Sequence, residues 1–371
     1  MKKAAIITWC NEGINYGQVL QAYAMQRIAR KYNLDSVTIR YRKPKSEEHM
    51  TGLKFPVFKK CYEWYLGLEK AGAQSRKVKL KFNRFVRKNI VLSAPCYSKE
   101  DVEQEVNKNK CNILICGSDQ IWNPVAFDPI YYLDFCGREM LRIAYAPSIA
   151  EDELNSGNRH IFEKMRTLID RLDFVSVREE AGANILRQIM DKPVTAVLDP
   201  TFLLSRKGWD HIAAKPLYHG DYIFCYVLGD IKLHRENLRR ISEKYRTSKV
   251  IYLRTTNSML SSREEFRDDI GPEEFVSLIK NAKAVYTDSF HGVALSINYG
   301  REFYTCRRYD TNAYNKNSRI SNILDIFDLQ SRYIEKSEQM IDNDRIDYEV
   351  VNQILRRERM RAFQFLGNAF R

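Results

Sequence analysis

Hydrophobic residues along this chain alternate between two patterns. Short apolar runs, typical of strands buried on both faces, are followed by longer segments in which apolar residues recur with a helical period. Residues 4–9 predict a first strand, residues 17–31 its helix and residues 36–41 a second strand. The alternation predicts an α/β fold in which helices cover both faces of parallel sheets.

The strand and helix pattern divides into two series. The first continues through predicted strands at 113–116, 142–146, 174–177 and 195–198, with helices predicted at 151–170 and directly after Arg178. The turn residues that begin at Asp199 interrupt it, and a second series follows with strands at 222–227, 249–253, 284–287 and 302–305. We therefore predict two α/β domains, at 1–204 and 205–330, and a helical tail over 331–371 that packs back on them.

The composition fits such a protein. The chain has 371 residues, of which 44% are hydrophobic and 29% charged, as in soluble globular proteins. No apolar run reaches the roughly 18 residues needed to cross a membrane, and the N-terminal residues lead straight into a strand, so we expect a cytoplasmic protein. The eight cysteines are scattered and form no close pairs, so we expect reduced thiols and no metal site.

The formal net charge of +13 predicts anionic partners. Lys and Arg are spread along the chain without a nucleic-acid-binding module, so nucleic acid is not expected. Phosphorylated small molecules, acidic glycans and an anionic membrane surface all fit the charge. A predicted helical insertion at about 54–88 is rich in Lys, Arg and aromatic residues. Its basic face is a solvated surface, a contact with a glycan, or a peripheral contact with the inner face of a membrane.

His291 follows the predicted strand at 284–287 and precedes an apolar segment that ends at Gly300. This places it in the first turn of a helix, where unpaired amide groups and the helix dipole favour a bound anion. One interpretation is a proton-transfer group beside an anion site. The alternative is a histidine that caps or packs the start of the helix.

Other polar residues also follow predicted strands, where the loops of parallel sheets commonly line a cleft. Arg178 follows the strand at 174–177 and could hold a carboxylate or phosphate in two parallel hydrogen bonds, or pair with a neighbouring glutamate on the surface. Arg319 begins a predicted helix. Two further groups follow strands, and ordinary turns, caps and core packing are the alternatives for them: Asn15, Tyr16 and Gln18, and Ser118, Asp119 and Gln120.

Four motifs follow one another along the chain: Asn15-Tyr16-Gly17-Gln18-Val19-Leu20-Gln21, Gly117-Ser118-Asp119-Gln120-Ile121-Trp122-Asn123-Pro124, Leu198-Asp199-Pro200-Thr201-Phe202-Leu203-Leu204 and Thr287-Asp288-Ser289-Phe290-His291-Gly292. Taken in this order, they resemble the polysaccharide pyruvyl transferase family. The resemblance implies two Rossmann-like domains with a cleft between them, similar to the GT-B glycosyltransferases. It also implies transfer of a pyruvyl group from phosphoenolpyruvate to two hydroxyls of a sugar, giving a ketal in a bacterial capsule, exopolysaccharide or cell-wall polymer.

The resemblance also implies roles for single residues. His291 matches the catalytic histidine of the family, and Arg178 is similar to the arginine that engages the donor. Where the best-studied members have an arginine two positions before the histidine, this chain has Ser289. The donor's charge is then expected to be met by Arg178, by Arg319 and by the helix start at Ser289 and Gly292.

Our hypothesis from the sequence is that His291 transfers protons, that Arg178 anchors phosphoenolpyruvate without a cofactor, and that a second group of residues binds the acceptor: Asn15, Tyr16, Gln18, Ser118, Asp119 and Gln120. A lipid-linked, a nucleotide-linked and a polymeric acceptor all remain open. Two rival functions also remain. One is a glycosyltransferase that uses a nucleotide sugar on the same two-domain fold, and the other is a non-catalytic binder of anionic glycans.

Overall fold

The computed structural model describes residues 2–10, 13–42, 72–137, 139–229, 234–253, 266–267, 269–307, 318–335 and 344–371. Within these residues, the first half of the chain forms a seven-stranded sheet whose strands all run parallel. Its strands are Lys3–Ile7 (β1), Asp35–Tyr41 (β2), Leu92–Cys96 (β3), Ile113–Cys116 (β4), Leu141–Ala144 (β5), Phe174–Val177 (β6) and Val194–Ala196 (β7). Their spatial order is β3-β2-β1-β4-β5-β6-β7, so the order reverses between β1 and β4.

The described residues of the second half form a six-stranded parallel sheet. Its strands are Ile223–Tyr226 (β8), Val250–Leu253 (β9), Phe266–Arg267 (β10), Ala284–Thr287 (β11), Glu302–Cys306 (β12) and Tyr333–Ile334 (β13). The order β10-β9-β8-β11-β12-β13 repeats that of the first sheet, with its reversal between β8 and β11. This is the doubly wound Rossmann order, so the predicted α/β fold of two Rossmann-like units is confirmed.

Helices connect the strands and cover the sheets, as parallel connections require. Those in the described residues are Tyr16–Lys31 (α1), Gly72–Asn89 (α2), Lys99–Lys108 (α3), Arg159–Ile169 (α4), Glu180–Arg187 (α5), Pro200–Leu203 (α6), Arg206–Asp210 (α7), Arg235–Lys244 (α8), Pro272–Asn281 (α9), Phe290–Tyr299 (α10), Ser318–Phe327 (α11) and Tyr348–Ala369 (α12). Residues 72–88 of the predicted insertion lie in α2, and residues 54–71 lie outside the described residues. In the described parts of the chain, no helix is long and apolar enough to cross a membrane.

The predicted helix at 151–170 is wrong in its first part, because the helix begins only at Arg159. The Asn155 side chain is the physical reason. Its Oδ1 accepts hydrogen bonds from the backbone N–H groups of Gly157 and Asn158, which closes a turn in place of a helical one.

The C-terminal helix α12 packs back on the rest of the molecule, as predicted. The Tyr32 hydroxyl of the first half donates to the Phe363 carbonyl at 2.7 Å. From α12, Arg359 donates to the Phe202 carbonyl at 2.6 Å and to Asn298 Oδ1 at 2.6 Å. Because Asn298 belongs to α10 in the second half, α12 contacts both halves.

Candidate functional site

His291 is the second residue of α10, and hydrogen bonds fix the turn that leads into it. Ser289 caps the helix, with its Oγ accepting from the Gly292 N–H at 3.4 Å. The Thr287 hydroxyl donates to the Tyr226 carbonyl at 2.6 Å and accepts from the Ser289 N–H at 3.1 Å. The end of β11 is thereby tied to the end of β8, at the point where the strand order reverses.

A second helix start meets this turn from the other half of the molecule. Gly17 lies in the first turn of α1, and a Cβ on it would lie 2.1 Å from the Nδ1 atom of His291. Only a residue without a side chain therefore allows the backbone of α1 to approach the imidazole so closely. The reversal points of the two sheets face each other here, and two helix N-termini converge on His291, an arrangement that favours a bound anion.

Arg178 directly follows β6, and its side chain is only 2% exposed. Its Nη1 lies 3.4 Å from Asp199 Oδ2, and its Nε lies 3.8 Å from Glu179 Oε2. The guanidinium carbon lies 4.1 Å from the centre of the Phe290 ring, so the cation also contacts an aromatic face. Among the described residues, the Nε and Nη2 atoms of Arg178 find no hydrogen-bond acceptor. These two donors are the ones that could bind a carboxylate or phosphate.

Asp199 lies between the arginine and the histidine and is fully buried. Its Oδ1 accepts hydrogen bonds from the backbone N–H and the hydroxyl of Thr201, at 2.9 and 2.7 Å. Its Oδ2 accepts from the Ser118 hydroxyl at 2.6 Å and lies 4.0 Å from the Nε2 atom of His291. Asp199 therefore brings groups from both halves together.

The surrounding groups set the protonation states of Asp199 and His291. Burial alone would raise the pKa of Asp199, but His291, Arg178 and the hydrogen bonds from Ser118 and Thr201 outweigh it and lower the pKa below its ordinary value. Burial lowers the pKa of His291, although Asp199 and Asp119 act in the opposite direction. The free protein therefore holds an ionised carboxylate and a neutral imidazole near pH 7.

Several predicted site residues lie in this cluster. Asp119 is buried after β4, and its charge and that of Arg319 both act on the pKa of His291. Ser118 is fully buried, with its hydroxyl on Asp199. Gln120 is half-buried beside Asp119, whose Oδ1 accepts from its N–H at 2.9 Å.

The residues predicted at the start of α1 lie in three different environments. Asn15 is exposed and caps α1, with its Oδ1 accepting from the Gln18 N–H at 3.2 Å, and Gln18 is half-buried. Tyr16 is buried, and its hydroxyl donates to the Ile270 carbonyl at 2.7 Å. It packs across the junction of the two halves. The contact of these residues with an acceptor stays a prediction.

From the sequence, no role is assigned to Asp199. The available signal was its position in Asp199-Pro200-Thr201 directly after a strand, within one of the four motifs.

The structure also has a cavity of about 310 Å³ beside Arg178, between the end of β7, helix α11 and helix α12. Its lining includes Leu198, Asn322 and Asp325. In the part of the chain that is described, no group of three or more His, Cys, Asp or Glu residues could hold a metal ion.

Comparison with known families shows which family the chain belongs to. The sequence profile of the polysaccharide pyruvyl transferase family matches residues 15–310, most of the chain. The chain belongs to this family. The matched range includes Gly17, Arg178, Asp199 and His291. No curated protein matches the chain.

Solved structures of similar overall arrangement include sugar-nucleotide enzymes. The chain is 13% identical to the UDP-GlcNAc 2-epimerase from Methanocaldococcus jannaschii, covering 96% of this chain and 92% of that one, with a TM-score of 0.46. An α-glucosyltransferase in complex with UDP is 9% identical, with 99% and 95% coverage and a TM-score of 0.45. AviGT4, a glycosyltransferase involved in avilamycin A biosynthesis, is 10% identical, with 100% and 97% coverage and a TM-score of 0.46. The fold of this chain is defined by the strand order described above.

Proposed function

We propose that this protein transfers a pyruvyl group from phosphoenolpyruvate to two hydroxyls of a sugar acceptor, forming a cyclic ketal during the synthesis of a bacterial capsule, exopolysaccharide or cell-wall polymer. The observation that carries the proposal is a buried imidazole that two helix N-termini and a buried arginine surround. Phosphoenolpyruvate carries a carboxylate and a phosphate, and these anions match the Nε and Nη2 donors of Arg178, the cation of Arg319 and the amides of α1 and α10.

The reaction needs a proton at one carbon and the loss of protons from two hydroxyls. Protonation of C3 of phosphoenolpyruvate turns the methylene into a methyl group and gives C2 oxocarbenium character. The first sugar hydroxyl then forms a bond to C2 and loses its proton. The C2–O bond to phosphate breaks, phosphate leaves, and the second hydroxyl adds to C2 and loses its proton.

His291 is the group we assign to these proton transfers. An imidazole can donate and accept protons near neutral pH, and one that is neutral in the free protein can be charged by the arrival of an anion. Arg178 and Arg319 stabilise the donor's carboxylate and the departing phosphate. We propose that these cations suffice without a metal or other cofactor, so turnover is expected to survive exhaustive treatment with a chelator.

The decisive experiment offers phosphoenolpyruvate to the purified protein with a panel of lipid-linked, nucleotide-linked and polymeric sugar acceptors. Release of phosphate, with the gain of one pyruvyl ketal by mass spectrometry, is the expected result. Release of a nucleoside diphosphate from a nucleotide sugar, with no ketal, would instead establish a glycosyltransferase. Glycan binding without turnover of any donor would establish a binding protein.

Two variants test the assigned residues. His291→Ala is expected to abolish turnover while the protein stays folded, and full activity would reject its role. Arg178→Lys is expected to weaken phosphoenolpyruvate binding, because a point charge does not reproduce the planar fork of the guanidinium. The matched control is Arg187→Lys, because Arg187 is 42% exposed and pairs with Glu180 on the surface.

We further propose that the exposed, basic face of α2 contacts an anionic membrane. Helix α2 contains no acidic residue, and an apolar side chain that is 61% exposed, Leu80, lies among its cations. The exposed cations of this face are Arg76, Lys77, Lys79, Arg84, Arg87 and Lys88. Each cation near an anionic lipid surface contributes about 1 kcal/mol.

Sedimentation with vesicles tests this contact. The protein is expected to bind vesicles of phosphatidylglycerol and not those of phosphatidylcholine, and the K77E/K79E/R84E variant is expected to lose that binding. Equal binding by the variant, or none by the wild-type protein, would remove the membrane as a partner of this face.

A further inference from the structure

We propose that Asp199 is a positioning residue, which fixes the Arg178 guanidinium and the His291 imidazole relative to each other across the junction of the two halves. The inference deepens the proposed function, on which its kinetic consequences rest. It assigns a role to a buried side chain that lies against both Arg178 and His291.

The geometry fixes the Asp199 carboxylate before any ligand arrives. Thr201 holds Oδ1 through two donors, at 2.9 and 2.7 Å. Ser118 holds Oδ2 at 2.6 Å, and the Ser118 N–H in turn donates to Gln21 Oε1 at 3.2 Å. All of these partners belong to the first half of the chain, so the carboxylate is a rigid part of that half.

The same Oδ2 atom faces the two functional groups. Arg178 Nη1 lies 3.4 Å away, and His291 Nε2 lies 4.0 Å away in the other half. Within the described residues, His291 Nε2 is buried and makes no hydrogen bond. A neutral imidazole at this distance has only a weak contact with Asp199. An imidazolium would gain a charged partner that needs no more than a small shift to form a hydrogen bond.

The charges around the imidazole come from several elements. Asp119 after β4, Asp199 after β7, Arg178 after β6 and Arg319 on α11 all act on His291. The two carboxylates favour the imidazolium, and the two guanidinium groups oppose it. Glu179 faces Arg178 at 3.8 Å, so it shares that cation with Asp199. Removal of the Asp199 charge therefore shifts the balance against a protonated His291.

The alternative is that Asp199 only caps the short helix α6, and the chain contains a matched control for that role. Asp128 also precedes a proline, also accepts the N–H two residues ahead, from Ile130 at 3.1 Å, and also receives a hydroxyl on Oδ2, from Tyr41 at 3.0 Å. Both carboxylates are buried. Only Asp199 of the two lies against Arg178 and His291 in the described structure.

The experiment compares Asp199→Asn with Asp128→Asn by NMR titration of the histidine ring signals. The chain has six histidines, and the His291→Gln spectrum assigns the signal of residue 291. In Asp199→Asn, we expect the pKa of His291 to fall by about one unit or more, because a carboxylate at this distance favours the charged ring. In Asp128→Asn, the pKa of His291 should not change.

Kinetics supply the second measurement. We expect Asp199→Asn to lower kcat by about tenfold or more and to move the alkaline limb of its pH profile to lower pH, because the acid that protonates C3 is lost at lower pH. If Asp199→Asn does not fold, Ser118→Ala leaves the charge and removes one hydrogen bond to Oδ2. That variant is expected to lower kcat with little change in the KM for phosphoenolpyruvate.

The outcomes separate this inference from the proposed function. A titration of His291 that is the same in Asp199→Asn and in the wild-type protein would overturn the positioning role, as would an unchanged kcat in Ser118→Ala where the first variant is unfolded. A lowered pKa in a protein that releases no phosphate from phosphoenolpyruvate would support the positioning role and reject pyruvyl transfer.

Discussion

At the scale of single residues, the groups around His291 control its protonation state. Burial favours the neutral ring in the free protein, and the nearby carboxylates of Asp199 and Asp119 favour the protonated ring. A group of this kind responds to ligand charge, because an added anion near the ring favours the imidazolium and so raises its pKa. The same surroundings therefore favour a neutral His291 in the free protein, and a bound anion would favour its protonated form.

This coupling predicts that phosphoenolpyruvate binds with proton uptake at pH 7. The free ring is mostly unprotonated there because its pKa is below its ordinary value. The bound anion raises that pKa and draws protons from the buffer. Calorimetry in two phosphate-free buffers of different ionisation enthalpy measures the uptake, which should disappear in His291→Gln and persist in the variant of an exposed histidine, His160→Gln. Proton release in the wild-type protein would contradict the prediction.

Gly17 supports a prediction about close packing at the same site. In Gly17→Ala, the new Cβ would lie 2.1 Å from the imidazole, so the ring or helix α1 must move. We expect kcat to fall by about tenfold or more, since misplaced catalytic groups are costly. The matched control is Gly367→Ala in α12, where the nearest atom to a new Cβ lies at 3.9 Å.

The control should keep full activity and gain up to about 1 kcal/mol in the free energy of unfolding, because alanine favours a helix. Steady-state kinetics and urea unfolding measure both effects. Wild-type kcat in Gly17→Ala would show that the imidazole position is not critical.

At the scale of elements, the junction of α1 and α9 holds the two halves together. Tyr16 stacks on Phe275 with ring centres 4.4 Å apart, and its hydroxyl donates to the Ile270 carbonyl. Beside it, Lys81 of α2 pairs with Glu274 of α9 at 2.5 Å. The first turn of α1 is therefore fixed on the second half by packing and by charge, close to where Gly17 meets His291.

We expect Tyr16→Phe to lower the free energy of unfolding by about 1–3 kcal/mol, because the buried Ile270 carbonyl loses its donor while the stacked ring remains. The KM for the acceptor should not change if the hydroxyl serves only this junction. Urea unfolding and acceptor kinetics measure the two quantities. A large rise in the acceptor KM without loss of stability would instead assign Tyr16 to acceptor binding, as the sequence predicts.

Most strands and helices could be predicted because their signals are local. The apolar runs at 113–116, 174–177 and 284–287 became strands at those positions. The helix that contains His291 ends at Tyr299, and Gly300 caps it in the left-handed conformation. Strand β3 was missed, since Pro95 argues against a strand; its place at the edge of the sheet removes the conflict. Edge position is a property of the assembled sheet.

The residues of the candidate site also divide into those that a local sequence signal reveals and those that it does not. His291 and Arg178 could be chosen as candidates because each follows a buried strand, which is a local rule. The role of Asp199 depends on a contact between residues that the sequence places far apart, and no periodicity reports such a contact. The same holds for Gly17, whose importance comes from an imidazole in the other half.

For the whole molecule, helix α12 links the parts that form the site. Its Arg359 donates to the carbonyls of Phe202 and Leu204, in the segment that follows Asp199, and to Asn298 Oδ1 in α10. The Asn298 amide in turn donates to the Thr201 carbonyl at 2.8 Å. One half-buried guanidinium thus connects the C-terminal helix, the Asp199 segment and the helix that carries His291.

This connection predicts that Arg359→Met destabilises the whole protein. Burial, with the nearby charge of Arg206, lowers the pKa of Arg359 to about 10, so the cation is held at a cost that its three acceptors offset. Methionine keeps most of the volume but leaves those acceptors without a donor, which costs about 1–3 kcal/mol. The control is Arg357→Met on the same helix, where the arginine is 63% exposed and pairs only with Glu358 in the described contacts. Urea unfolding should show a lower midpoint for Arg359→Met and an unchanged midpoint for Arg357→Met. The kcat of Arg359→Met should also fall, because the Asp199 segment is held by fewer hydrogen bonds. Equal midpoints for the two variants would show that the contacts of Arg359 do not stabilise the protein.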